Sequence, residues 1–465
     1  MWPIKTTLFF FGFVGACALS LVYPIVGIVN YMMLYMVNPD EMWWGRPLQP
    51  FNIRYSMMAG VCLILGMVIN STRLPRARTQ LEPWQVLLVV FVLLVLMSGL
   101  VGYGSSSYSL NLMDKMVKMT VFMVCLTRMV STLKNFRIVL WTLVVGTLMI
   151  GYDAYYAPDS DFFAGRLNFI GGPDFRDSSG LAAHMSAMLP LIAAALLIAR
   201  HWRWRLLALV SGVLAVNTII QCRTRSAFVG LVVGGAVAAI MAPRRRRGRV
   251  YIALIVGAIG AYSLTDEHFW ERMSTLARST ATEDDDTIRS RMELWIVARR
   301  MIIDHPLGVG VGKFRDVVGQ YEDDSLAFAF SVPKRVTHNT YLLCTTELGI
   351  QGLLVFASIV LISLLKIFNC SRLSGYCQNP AQVRLLSYGC LVSMVIYLSA
   401  AAFTDRLYTE SYWWILALPV CLEMGVRREV AAVDELELEG ALDDEYDWED
   451  TIIGQPAGYA RSALD

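Results

Sequence analysis

"WQVLLVVFVLLVLMSGLVGYG", from Trp84 to Gly104, carries no charged side chain over its whole length. An α-helix rises about 1.5 Å per residue, so about 20 apolar residues cross the hydrocarbon core of a bilayer. This stretch meets that length with no polar face left for a soluble surface. It reads as a membrane-spanning helix, and it sets the frame for the rest of the chain.

Composition extends the reading. Of 465 residues, 56% are hydrophobic and only 17% charged, where soluble chains carry about 25% charged residues. Further apolar segments run near residues 53–70, 115–132, 137–153, 181–199, 206–221, 226–242, 250–264, 339–365, 384–403 and 409–425. Residues 6–37 are either one long tilted helix or two short ones meeting at Tyr23-Pro24. The fold class expected is all-α, a polytopic membrane protein of 12–13 transmembrane helices. The opening residues run too long for a cleavable signal peptide and lack a small-x-small site. Most of the nine cysteines lie in apolar segments, where a thiol behaves as a small hydrophobe; Cys370 and Cys377 share a loop without metal spacing.

Charge sets the orientation. Basic clusters at 71–78 (STRLPRAR), 133–137 (LKNFR), 200–205 (RHWRWR), 244–249 (RRRRGR) and 426–428 (VRR) fall at every second connection. The positive-inside rule makes all five cytoplasmic together. Four parts follow: N-terminal helices over 1–264, a large outer loop over 265–338, C-terminal helices over 339–428, and a tail over 429–465. The tail carries eleven acids and no base from Glu429 to Asp450 and is expected to be disordered and cytoplasmic. No internal repeat or matched pair of broken helices of the transporter kind is evident.

The outer face collects the chemistry. Met292, Trp295, Ile296 and Arg299 recur at helical spacing, which predicts an amphipathic helix near 289–303. "HPLGVGVGKF" (305–314) follows as a glycine-rich turn. It matches no phosphate-binding fingerprint and reads as a tight turn ending a helix. Arg223, Arg225, Arg289 and Arg291 gather at this face. They either snorkel and pair with Glu283, Asp284, Asp285 and Asp286, or form a clamp for a diphosphate, which guanidinium forks bind bidentately. The acids at 283–286 lack a further ligand cluster and read as solvated rather than metal-binding.

"RVTHNTYLLCTTELGIQGLLVF" (335–356) places polar groups where a membrane helix begins. Ionisable groups at such depth are costly and mark either a site or a paired structural group. A helix starting near His338 puts Tyr341 and Thr345 near its face. Glu347 lies out of phase and deeper, so it either ties helices together or holds an arginine.

Three segments together resemble the O-antigen ligase superfamily, which includes polymerases and protein O-oligosaccharyltransferases. They are "RTRSAFVG" (223–230), "SRMELWIVARRMIIDHPLGVGVGKF" (290–314) and "HNTYLLCTTELGIQGLLVF" (338–356), in the family's order. "YPIVGIVNYMMLYMVNPDEMWWG" (23–45) resembles, more softly, the exosortase-associated O-glycosylation ligases. The resemblance implies a GT-C-type glycosyltransferase of the bacterial inner membrane. It implies inverting transfer of a glycan from undecaprenyl diphosphate to an acceptor hydroxyl on the periplasmic side: lipid A core, a protein Ser/Thr, or another glycan. By motif, His338 is the base and Arg225 and Arg291 hold the diphosphate, with Arg223 and Arg289 beside them and Glu347, Asn339 and Tyr341 in support. No metal, cofactor or nucleic acid is expected; membrane lipid is. Two departures stand out: "FRDSSGLAAH" (175–184) lacks the Asp-Pro-Asn or Asp-Asn-Asn of many relatives, and Arg223 is an extra arginine. A polymerase, or a non-enzymatic transporter of the lipid-linked glycan, is the alternative.

Overall fold

The computed structural model describes residues 3–72, 81–103, 106–242, 247–264, 283–321 and 336–451, with backbone alone at 261, 263–264, 283–290 and 434–451. The chain is an all-α polytopic membrane protein, and each apolar segment of the sequence is a helix. They are α1 (Ile4–Val22), α2 (Pro24–Val37), α3 (Tyr55–Ile69), α4 (Pro83–Val101), α5 (Ser107–Met129), α6 (Leu133–Tyr155), α7 (Ser178–Ile198), α8 (Trp202–Cys222), α9 (Arg225–Met241) and α10 (Arg247–Leu264). After residue 282 come α11 (Glu283–Asp304), α12 (Thr340–Leu373), α13 (Pro380–Ala401) and α14 (Glu410–Thr451). Among the described residues, seven helices are long and apolar enough to cross a membrane, and α2, α3 and α9 are shorter apolar helices.

Local chemistry explains the boundaries. Residues 6–37 divide into two helices because Pro24, which has no N–H to donate, begins α2 at its first position. Ser106, Thr132, Asp177, Asn339 and Asn379 each cap a helix by accepting a first-turn backbone N–H. Glu82 and Gln85 form a capping box at the start of α4.

α7, α13 and α14 form the centre, and α1 and α10 lie at the edge with apolar side chains exposed. Small residues let the central backbones approach. A Cβ at Gly230 would stand 2.7 Å from the Ile396 carbonyl and one at Gly234 would meet the Ile396 side chain; close approach of this kind replaces the hydrophobic effect as the force between helices in lipid. At the end opposite the site, Lys366 Nζ lies 3.1 Å from Glu82 and 3.0 Å from Glu423, joining α4, α12 and α14.

α11 is a helix, but Val297, Ala298 and Met301 turn inward while Met292, Ile296 and Ile303 are exposed. The stripe with Met292 and Ile296 is thus the outer one, because the pattern carries two apolar stripes and tertiary contacts select between them. The described backbone of the tail is helical as far as Thr451, in keeping with the helix-favouring Glu, Leu and Ala there. The acids 283–286 and Arg289 have no described side chains, and 265–282, 322–335 and 452–465 lie outside the described residues.

Candidate active site

α12 has 34 residues, about 51 Å at 1.5 Å per residue, well beyond a hydrocarbon core of about 30 Å. The helix is broken at Gly349 (φ 75, ψ −177), and the break is built by the glycine-rich turn. Val309 N donates to the Thr346 carbonyl at 2.9 Å, Gly310 N to Glu347 O at 3.0 Å, and Ile350 N to Pro306 O at 3.0 Å. The carbonyls released by the break therefore find donors in the turn. Its glycines at 308, 310 and 312 have φ of 91, 114 and 70, where a side chain is strained. A Cβ on Gly310 would also press on Gly102 of the α4 end. The turn is a docking element rather than an anion cradle.

Glu347 belongs to this junction. It is buried, accepts the Tyr408 hydroxyl at 2.6 Å and accepts Phe314 N at 3.3 Å. Of the two roles open in the sequence, tying elements together is the one its described bonds serve.

Above the break, His338 precedes the N-cap of α12 in a left-handed conformation (φ 48). Such a backbone costs a non-glycine residue of order 1–3 kcal/mol and persists only where its surroundings enforce it. Asp405 does so. Its carboxylate accepts His338 N at 3.1 Å, Asn339 N at 3.0 Å and Thr337 Oγ1 at 2.6 Å. Asn339 Oδ1 then caps α12 by accepting Tyr341 N at 3.0 Å and Leu342 N at 3.1 Å. Tyr341 donates its hydroxyl to the Leu398 carbonyl at 2.7 Å. Asn339 and Tyr341 thus hold the junction to its neighbours.

Asp405 sits in "TDRLYTE" (404–410), the connection from α13 to α14, which links several elements. Arg406 is buried and gives Nη2 to both oxygens of Asp177, at 2.8 and 2.9 Å, and Nε to Thr404 Oγ1 at 3.0 Å. Asp177 in turn caps α7 through Gly180 N at 2.8 Å. Thr340 Oγ1 donates to Thr404 O at 2.7 Å and accepts Arg406 N at 2.8 Å. Glu410 accepts the Tyr31 hydroxyl at 3.1 Å, and its N–H donates to Asp174 at 2.5 Å. Tyr35 and Lys115 converge on the same Asp174, the lysine at 2.6 Å.

The arginines arrive from three directions. Trp295 donates Nε1 to the Thr337 carbonyl at 3.0 Å, which fixes α11 beside His338 and brings Arg291 close enough to act on the imidazole. Gly230 and Gly234 of α9 face Ala400 and Ile396 of α13, so the two helices are antiparallel. Arg225 stands five residues before Gly230, about 7 Å along the axis, at the level of the 402–409 connection. Arg223, by contrast, ends α8 in a left-handed conformation (φ 48) and gives Nη1 to the Gly165 carbonyl at 3.0 Å. It holds the hairpin of β1 (Phe162–Phe163) and β2 (Arg166–Leu167). Thr224 and Ser226, on either side of Arg225, have buried hydroxyls with no hydrogen-bond partner among the described residues.

Electrostatics act on His338 from every side. Burial pushes its pKa below the ordinary imidazole value; Asp405 pulls it back up, and Arg291 and Arg406 push it down again. The neutral ring is favoured.

Asp405, Arg406 and Asp177 escaped sequence reading. The available signal was an adjacent acid and base, Asp405 and Arg406, between two apolar helices. Among curated proteins nothing matches the chain. Residues 210–357, from within α8 to the middle of α12, match the family model described as O-antigen ligase. That segment contains Arg223, Arg225, Arg289, Arg291, His338, Asn339, Tyr341 and Glu347 but ends before Asp405. Over this domain the chain is similar to the O-antigen ligases, which supports a membrane glycosyltransferase of ligase or polymerase type.

Proposed function

We propose that the protein is an inverting ligase that moves a glycan from undecaprenyl diphosphate to an acceptor hydroxyl at the periplasmic face of the inner membrane. The observation that carries the reading is the strained His338, held by Asp405 and flanked by Arg291. The acceptor oxygen attacks the anomeric carbon from the face opposite the diphosphate, and its proton passes to the imidazole. The bond from the anomeric carbon to the phosphate oxygen breaks, and the diphosphate leaves with the electron pair. The anomeric configuration inverts.

The lipid diphosphate is already a good leaving group, and fixed guanidinium charge stabilises the charge that develops on it. Arg225 and Arg291 supply that charge. The N-terminus of α9, with the Thr224 and Ser226 hydroxyls beside Arg225, adds donors suited to phosphate oxygens. Arg223 is assigned to the hairpin rather than to the phosphate. Glu347, Asn339 and Tyr341 support the junction.

Full-length protein in proteoliposomes, given lipid-linked glycan and an acceptor, should form a new glycosidic bond. Movement of intact lipid-linked glycan across the bilayer without bond formation would overturn the enzyme reading. His338→Gln keeps hydrogen bonding but accepts no proton at neutral pH; turnover should fall by roughly 10²–10⁴ while donor binding persists. Near-parental turnover would show that His338 only positions the acceptor.

A further inference from the structure

α11 is too charged to cross a membrane, yet it presents an apolar face that is exposed among the described residues. Met292, Ile296 and Ile303, with Arg299 between them, recur at spacings of four, three and four, which places them on one face of a helix. The three apolar side chains are 59%, 53% and 67% exposed, and Leu307, four residues on, is 77% exposed. The opposite stripe, Val297, Ala298 and Met301, is buried. An exposed apolar stripe of this size calls for an occupant.

The structure shows where the stripe leads. Leu307 sits against the break in α12, its carbonyl accepting Gln351 Nε2 at 2.8 Å while Pro306 O accepts Ile350 N at 3.0 Å. Ile350, Leu354, Leu361 and Leu365 continue down α12 as large exposed apolar residues. They form the flank of a helix long and apolar enough to cross a membrane, and so its lipid-facing side. The face of α11 therefore ends, at Leu307, beside the exposed apolar flank of α12. Arg299 and Arg300, both exposed, lie on and beside the stripe. Their aliphatic stems can rest on it while the guanidinium groups reach the phosphates of lipid headgroups.

We propose that α11 is seated in the lipid leaflet on the side of the site, with Met292, Ile296, Ile303 and Leu307 packed against the acyl chains of bulk phospholipid. The seating holds Arg291, on the flank of the same helix, near headgroup level, where a lipid-borne diphosphate lies. It rests on the membrane fold and not on glycosyl transfer.

The test uses the full chain with a photoreactive benzoylphenylalanine at Ile296, Ile303 or the exposed polar Asp304, in vesicles of phosphatidylethanolamine and phosphatidylglycerol. Illumination should give phospholipid adducts at 296 and 303, detected by intact mass, and none at 304. No donor or acceptor is present, so the result is independent of whether the protein transfers glycans. Cross-links to a second copy, cross-links within the chain, or the absence of any adduct at both positions would overturn the seating.

Discussion

His338 combines a left-handed backbone, partial burial and two neighbouring guanidinium groups, and each has a measurable consequence. Its pKa is lowered, so the ring stays neutral below the ordinary value of about 6.5. A pH–rate profile of the reconstituted enzyme should keep its activity through pH 6.5 and lose it only at lower pH, as the base becomes protonated. Asp405→Asn removes the carboxylate charge that stabilises the imidazolium, so the acid limb should move to still lower pH. It also removes one strong acceptor for the backbone at 338 and 339, and turnover should fall by roughly 10-fold or more, since charge-assisted hydrogen bonds contribute about 1.5–3 kcal/mol. A merely structural Asp405 would leave the pH midpoint in place. Arg225→Lys and Arg291→Lys keep the charge but lose the fork. Each should lower turnover sharply in the same assay, and parental rates in both would sink the clamp.

The break in α12 and the glycine-rich turn are one device built from two elements. Gly349→Ala would put a Cβ 2.5 Å from the Leu307 carbonyl carbon and 2.6 Å from Pro306 O, on a backbone with φ 75. The turn would then be pushed from α12, and Glu347 would lose its bond to Phe314 N. Strain of this kind costs about 1–3 kcal/mol, so the melting temperature in detergent should drop measurably. Gly319→Ala is the control: it has open space around it and should leave the melting temperature unchanged. Equal melting of the two variants would show that the turn is not docked on the break.

Across the whole molecule, two charged networks sit at opposite ends of the bundle. The site end joins α7, α12, α13 and α14 through Asp177, Arg406 and Asp405. The far end joins α4, α12 and α14 through Glu82, Lys366 and Glu423, with Asn369 and Arg427 also on Glu423. Glu423 is fully buried, and removing one partner of a buried pair costs about 3–5 kcal/mol because the remaining charge stays desolvated. Lys366→Ala should therefore lower thermal stability strongly. Its distance from the site means that whatever folds should retain the parental pH–rate profile; a shifted profile would mean the two ends are coupled.

Hydropathy determined by itself that the chain is an all-α membrane protein, since only a helix satisfies its own backbone groups in lipid. The same sequence marked His338, because polar groups beside a long apolar run are conspicuous, while Arg225 and Arg291 were singled out by the resemblance to the O-antigen ligases. Tertiary structure alone decided that the stretch 6–37 is two helices, that Arg223 holds the Gly165 carbonyl, and that Glu347 receives Tyr408. It alone brought Asp405 to His338, 67 residues earlier in the chain, and it chose which apolar stripe of α11 is buried. The physical reason is common to all of these: periodicity and composition report what one segment prefers, whereas a hydrogen bond or a buried face depends on which distant segment folds against it.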